Sequence, residues 1–329
     1  RMVVRPRQGL DGGLMGRTLL ARLGAAAVTA VLSTALVFLL VRAVPGDVVG
    51  QMLGQSAGDP QAEAALRAFF GLDRPLWSQY LAWAGAALRG DLGTSWRQGL
   101  PVAEIVGDAF AVTAGLAFAT LLLSALVGIP LGILAGASAG RWPDVLVEAV
   151  SLIGLAAPVF WTGLLLLVAA GAWFEWSPPL VYEPLSSSVR GNFESILLPV
   201  LALALLQASA YAQFARGRTV EVLRQDFVRA AVARGLPPRV VFGRHVLRSL
   251  TIPLLTFAGL ILVQILGGVV VVETLFAIPG LGRTLLSAIQ ARDYPVLQGA
   301  LLLCVVVALA VNLLVDLLYG VADPRMRVR

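Results

Sequence analysis

The side chains able to do chemistry are few in this chain and poorly placed for it. Its 329 residues hold one histidine, His245, one cysteine, Cys304, and 25 cationic side chains, all of them arginine. A lone histidine between Arg244 and Arg248 reads as a helix-end or lipid contact rather than a general base, and a lone cysteine in an apolar run reads as packing. An internal disulfide and a multidentate metal site both fall away. The missing lysine excludes more, because the phosphate-binding pattern GxxxxGK[ST] needs it to reach the β and γ phosphates. Any ATP-driven work must therefore use an ATPase on another polypeptide, with its ATP and magnesium.

What remains is hydrogen-bonding chemistry inside apolar surroundings. Gln207, Ser209, Tyr211 and Gln213 make the most polar stretch of any apolar run, Gln264 stands beside Gly267-Gly268, and Asn312 interrupts the last run. Neutral polar groups of this kind could line a passage for a polar solute, so Gln207, Tyr211, Gln264 and Asn312 are candidate pathway residues. An ion-coupled carrier generally needs ionisable groups within the membrane. The acids Glu148, Glu194, Glu273 and Asp316 all flank apolar runs and read as interfacial, solvated carboxylates.

Apolar residues make up 58% of the chain and charged ones 13%, which describes an all-α integral membrane protein. Six apolar windows, 23–41, 109–140, 149–174, 195–215, 249–272 and 294–315, each reach the roughly 17–25 residues that cross a hydrocarbon core. The second, at 32 residues, is long enough to need a helical extension or a strong tilt. Pro130, Pro158, Pro199 and Pro253 mark expected kinks, and Gly132 and Gly136, four apart, allow close helix contact.

An even number of crossings puts both termini on one side. That side carries 5 arginines in residues 1–22, 1 in 141–148, 8 in 216–248 and 3 in 316–329. The other side carries 5 in 42–108, 1 in 175–194 and 2 in 273–293. Seventeen against eight places the termini in the cytoplasm. The +6 net charge thus follows topology and lipid headgroups, with no nucleic-acid partner implied. Arg17 and Arg22 precede a 19-residue apolar run with no small-residue cleavage site after it, so the first window reads as an uncleaved anchor.

The elements that must position these residues converge on one basic loop, 216–250, with eight arginines. Val220, Leu223, Phe227 and Ala231 recur at helical spacing, giving one apolar and one basic face. Gly235 is a natural C-cap, and Pro237-Pro238 prevents that helix from continuing. A second helix then runs through Val240, Val241, Val246 and Leu247. The expectation is a helix, a sharp glycine turn and a helix.

Arg229-Ala230-Ala231, Gly235 and Pro253 resemble the EAA loop of ABC importer membrane subunits, with Arg229 where the general pattern has glutamate. DFVRAAVARGL followed by RHVLRSLTIP is similar to the peptide and nickel permease branch. PGD at 45–47, GLDRPLWSQYLAW at 71–83, RGDLGTSW at 89–96, VVVVETLFAIPGLGR at 269–283 and ARDYPVLQG at 291–299 carry the same likeness, which runs from about residue 37 to 327.

The resemblance implies six transmembrane helices in the type I importer permease fold, and a coupling helix in which Arg229, Ala230, Ala231, Arg234, Gly235 and Leu236 dock on an ATPase. It implies a homologous second permease subunit, two ATPase subunits and an extracytoplasmic binding protein, and a cargo of di- or oligopeptides, nickel, glutathione or glycosides. On this reading residues 1–22 are a cytoplasmic tail, 23–42 the first crossing, and 43–108 an extracytoplasmic segment with two short amphipathic helices. Residues 109–320 form the five-helix core and 321–329 a second tail. The competing readings are a secondary transporter, an inert scaffold, and a basic loop that only fixes topology against anionic lipid.

Overall fold

A computed structural model describes residues 11–43, 60–69 and 71–322. The PGD segment at 45–47 and the arginine-rich last residues 323–329 lie outside the described residues. Apart from an isolated bridge between Thr94 and Pro101, the described chain is helical or irregular. The helices are α1 (Asp11–Ala43), α2 (Pro60–Phe69), α3 (Leu76–Ala87), α4 (Val102–Ala137), α5 (Trp142–Ala156), α6 (Val159–Phe174), α7 (Val189–Leu223), α8 (Asp226–Ala233), α9 (Pro238–Leu275), α10 (Leu281–Ala291) and α11 (Tyr294–Ala322). Within α9, Val241–Val246 is a π-helical turn.

Among the described residues four helices, α4, α7, α9 and the Tyr294–Val315 part of α11, are long and apolar enough to cross a membrane, and Ala27–Arg42 is a shorter apolar helix. The third window is not the single kinked crossing expected. It is two helices, α5 and α6, bent by 102° at their junction, and only if that pair counts as one span does the number become five. Pro158 supplies no N–H and pushes Ala157 to an extended conformation (φ −74°, ψ 121°), so a kink becomes a break. Pro130, Pro199 and Pro253, by contrast, lie inside continuous helices. The 36 residues of α4 would extend about 54 Å, well beyond a core of roughly 30 Å, as the long second window required.

Ala111–Arg283 forms the body of one compact unit. Its central element is α7, capped at Ser188, whose hydroxyl accepts from the Gly191 amide at 3.0 Å. The most apolar stretch of α7 is 61% buried, against 33% for α4 and 28% for α9, so α7 is the most enclosed of these three spanning helices. Gly128, Gly132 and Gly136 form a stripe on α4 that rests directly on it. An added Cβ would run into the Ala208 carbonyl, the Ala212 carbonyl, and Thr219 with the Arg216 carbonyl, respectively. Gly154 of α5 sits on Ser209 in the same way. Arg216 ties α7 to α5 by a bidentate pair with Asp144, at 2.5 and 3.0 Å, and reaches Glu148 at 3.2 Å.

Gly16–Phe110 and Thr284–Leu309 form the second unit. The break at Asp73-Arg74-Pro75 does separate two short helices, α2 and α3, as expected, and Phe38 of α1 packs edge-on against Tyr80 at 5.6 Å. The buried Asp293 carboxylate accepts from the Ser95 hydroxyl at 2.5 Å and from the Trp96 and Arg97 amides at 3.3 and 3.4 Å. Two sequence segments nearly 200 residues apart are thereby joined.

Candidate functional site

The basic loop is assembled differently from the single amphipathic helix that its periodicity suggested. Val220 and Leu223 belong to the end of α7, the chain breaks at Arg224-Gln225, and only then does α8 begin. The four-residue spacing runs across that break, so the face it defines does not exist as one surface. Phe227 is 41% exposed, and it is Val228 and Ala231 that turn inward. They join Val222, Val241, Val246 and Leu250 in a buried apolar cluster, with Leu236 and Ile133 against it. The loop is thus bolted to α7 and α9 by apolar side chains, and α8 is held as a short bracket.

The turn after α8 behaves as its residues require. Gly235 has φ +75°, a conformation glycine adopts at no steric cost. Its N–H donates to the Val232 carbonyl at 2.9 Å and the Leu236 N–H to the Ala231 carbonyl at 3.3 Å, the paired bonds of a Schellman cap. Leu236, packed on the buried cluster, adds the apolar contact that accompanies such a cap. No atom lies within 4 Å of where a Cβ would stand, so the position constrains backbone angle and not space. Pro237 then precedes the first turn of α9, and the π-helical turn puts an extra residue into the run that leads to the membrane helix.

Of the six loop residues singled out from sequence, Arg229, Ala230, Arg234 and Gly235 are exposed, Ala231 is fully buried and Leu236 half-buried. Arg229 is only loosely tied, 3.9 Å from Asp226, and Arg234 returns to the Ala230 carbonyl at 3.2 Å. The outward face of α8 therefore shows cations beside two exposed apolar side chains, Phe227 and Val232. Not every arginine of 216–250 contributes to it. Arg216 is committed to Asp144, and Arg218 pairs with Glu221 at 2.8 Å while lying over the Phe214 ring.

The four pathway candidates divide into two pairs. Gln207 and Tyr211 on α7 are buried, 5% and 1% exposed, and Tyr211 packs beside Ala117, Ile261 and Ile265 and edge-on to Phe257. The Tyr211 hydroxyl is buried with no hydrogen-bond partner among the described residues. Gln264 and Asn312 are exposed, as are Gly267 and Gly268. An exposed glutamine on an apolar spanning helix marks a face that lipid tails cover poorly.

Sequence reasoning missed the acid that matters most to the interior. Glu273, expected as a solvated interfacial carboxylate, is 0% exposed. It accepts from the Thr113 hydroxyl at 2.5 Å and from the Arg283 amide at 3.0 Å, and the Leu281 amide donates to the same Thr113 oxygen at 2.8 Å. The carboxylate so caps the start of α10 and pins it to α4. Reading windows only as far as the next charged residue ended the helix at Val272, whereas it continues to Leu275 and carries Glu273 inside. The ETLFAIPGLGR string carried the signal, because a carboxylate a few residues before a proline-glycine turn can bond the amides beyond it. Glu148 and Glu194 are partly exposed, at 43% and 32%, and each pairs with an arginine, Arg216 and Arg190 respectively.

Comparisons with known proteins agree with this architecture. Residues 128–328 match the family model described as binding-protein-dependent transport system inner membrane component, and residues 15–117 match the N-terminal model for such membrane components. The chain is 36% identical to the dipeptide transport system permease protein DppB of Escherichia coli K12, over 94% of this chain and 98% of the relative. It is 38% identical to a di/tripeptide transport system permease protein DppB of Pseudomonas aeruginosa, over 89% and 94%. It is 35% identical to a probable peptide ABC transporter permease protein of Sinorhizobium fredii, over 95% and 100%. Helices that cross a membrane, a chain without a phosphate-binding lysine, and likeness along almost its whole length lead to one assignment: this protein belongs to the binding-protein-dependent transport system inner membrane components, as a DppB-like permease subunit that is not itself the catalyst.

Proposed function

We propose that this permease imports di- or oligopeptides, with residues 216–250 in the cytoplasm as its link to two separate ATPase subunits. The observation that carries the reading is α8 itself. Its inner side chains are locked to α7 and α9, while Phe227, Arg229, Val232 and Arg234 are exposed on the other side, Arg229 only 3.9 Å from Asp226 and Phe227 beside the His245 ring. A short helix fixed on one side and offering apolar and cationic groups on the other is what a groove on a partner can hold. Motion of that partner passes to α7 and α9 as a rigid-body shift, since the apolar cluster leaves α8 no independent freedom.

The peptide cargo is supported by the relatives, whose names specify dipeptide, di/tripeptide and peptide transport. A second, homologous permease subunit would cover the exposed Gln264, Gly267 and Gly268 face of α9 and complete a neutral, hydrogen-bonding pathway. The full arrangement is six crossings in the type I importer fold. Both termini are cytoplasmic, residues 43–108 face the extracytoplasmic binding protein, and 109–320 form the core. ATP and magnesium are bound by the partner ATPases.

Photo-crosslinking tests the reading. With benzoylphenylalanine at position 232, light should join the permease to the ATPase subunit in the assembled transporter, and the same probe at position 153, on the exposed apolar side of α5, should not. Crosslinks from position 232 to lipid alone would overturn the coupling role and leave the loop as a topology signal.

A further inference from the structure

The ion pair between Arg216 and Asp144 stands where three elements meet. Arg216 lies in the last turns of α7, just before α8, and its guanidinium bonds both oxygens of Asp144, at 2.5 and 3.0 Å. It also reaches Glu148, one turn further along α5, at 3.2 Å. The Asp144 side chain is 3% exposed and accepts in addition from the Gly140 amide at 2.8 Å, in the turn that joins α4 to α5. Gly136 of α4 rests on the Arg216 carbonyl and on Thr219. One buried carboxylate thus fastens α4, α5 and α7 at the level where α7 gives way to the basic loop. Two-point bonding to a guanidinium fixes angle as well as distance, so the joint resists twisting.

The far end of α5 gives this joint a use. Asp144 meets Arg216 while Gly154 presses on Ser209 and the Leu205 carbonyl, so α5 lies antiparallel against α7. Its Leu146, Val150 and Ile153 are half or more exposed, so the face of α5 that the protein holds is the one against α7. After Ala156 the chain turns by 102° into α6. Gly163 of α6 packs on the side chains of Leu275 and Phe276, and Val159 joins Phe276 on the buried cluster that contains Val269, Val272 and Ile278. These residues close α9 at the end remote from the basic loop. A helix pinned to α7 and bent nearly at a right angle beyond it turns displacement along α7 into displacement across that far end of α9.

We propose that Arg216 is a positioning residue for transport, its pair with Asp144 making α5 a lever between α8 and the far end of α9. The proposal rests on the coupling role of α8. Displacement of α8 moves α7 through their shared apolar cluster, and the ion pair obliges α5 to follow. The elbow at Ala157-Pro158 then directs the motion onto Leu275 and Phe276. Glu148 keeps a second acceptor within reach of the same guanidinium, so Arg216 stays paired while the two helices shift.

The permease assembled in liposomes with its ATPases and binding protein tests the lever, the readout being peptide taken up per ATP hydrolysed. Removing one partner alone strands a buried charge, so the variants keep the site balanced. Arg216→Lys retains the charge without the two-point geometry, and Asp144→Asn combined with Arg216→Gln makes the pair neutral. Both should lower the ratio severalfold at matched membrane abundance, with the crosslink from position 232 to the ATPase kept. Glu148→Gln, on a half-exposed side chain, should lower it less, and it supplies the readout if the neutral pair fails to assemble. Arg218→Gln, on the same helix but paired with the exposed Glu221, should leave the ratio unchanged. An unchanged ratio in Arg216→Lys and the neutral pair would overturn the proposal, including the case where uptake and hydrolysis fall in proportion, the mark of a purely structural bond. Absence of the position 232 crosslink in the wild type would instead refute the docking of α8 on which the lever rests.

Discussion

Among the described residues with left-handed backbone, Gly235 and Ala277 each end a helix with the same pair of backbone bonds and differ in what surrounds them. At Gly235, φ +75°, the turn is closed by its own backbone bonds, has open space where a side chain would be, and is itself exposed. At Ala277, φ +56°, the turn is closed likewise, its amide donating to the Thr274 carbonyl at 3.4 Å, but a residue with a Cβ takes the place of glycine. The Ile278 amide reaches the Glu273 carbonyl at 2.8 Å, and the buried Glu273 carboxylate and Thr113 hydroxyl take up the amides of Arg283 and Leu281. One turn is fixed by local chemistry and is free to meet a partner. The other has the same local bonds and, in addition, a buried polar network that ties it to the body of the protein. At Ala277 the network helps to hold a left-handed residue that carries a Cβ, whereas at Gly235 the glycine meets no such cost.

Breaking the buried side of the comparison should have the largest effect. Glu273→Ala leaves the Thr113 hydroxyl and the Arg283 amide without their acceptor, at about 1–3 kcal/mol for each orphaned group, so membrane abundance and thermal midpoint should both fall sharply. Glu273→Gln keeps one acceptor oxygen and should lose about half as much. Equal thermal midpoints for wild type and Glu273→Ala in detergent would show that the network does not hold the turn. Next in size is Gly132→Val, which forces α4 off the Ala212 carbonyl of α7 and should cost about 1–3 kcal/mol, read as lowered thermal stability. Gly107→Val has no neighbour in the way and serves as its control. Smallest is Arg229→Ala, an exposed and loosely paired side chain, expected within about 0.5 kcal/mol of wild type in stability. Any loss of substrate-stimulated ATP hydrolysis in that variant then reports docking and not folding.

The contrast also shows what a single sequence reveals. Positions of the apolar helices and the Gly235 turn were legible because both are local: apolar run length fixes one, and the order Arg234-Gly235-Leu236-Pro237 fixes the other. The break between α5 and α6 was only half legible, since Pro158 announces a disturbance but its angle of 102° depends on what each half packs against. The true inner face of α8 was not legible, because Val228 and Ala231 are chosen by contacts with Val241, Val246 and Leu250 across the turn. Nor was the burial of Glu273, whose partners Thr113 and Arg283 lie 160 and 10 residues away. For the pathway candidates, periodicity could not separate the buried Gln207 and Tyr211 from the exposed Gln264 and Asn312. Polarity alone does not say which way a helix faces.

The central claim is that the exposed turn transmits motion between an ATPase and the membrane helices, and Gly235→Val tests it most directly. A β-branched residue at φ +75° is strained by about 1–3 kcal/mol, and with no atom within 4 Å the strain is purely conformational. That is comparable to the free energies that bias a two-state transporter, where about 1.4 kcal/mol shifts populations tenfold. The measurement is peptide uptake and substrate-stimulated ATP hydrolysis in the assembled transporter, at matched membrane abundance. The account predicts that both fall severalfold or more in Gly235→Val and less in Gly235→Ala. Wild-type uptake by normally abundant Gly235→Val protein would contradict it.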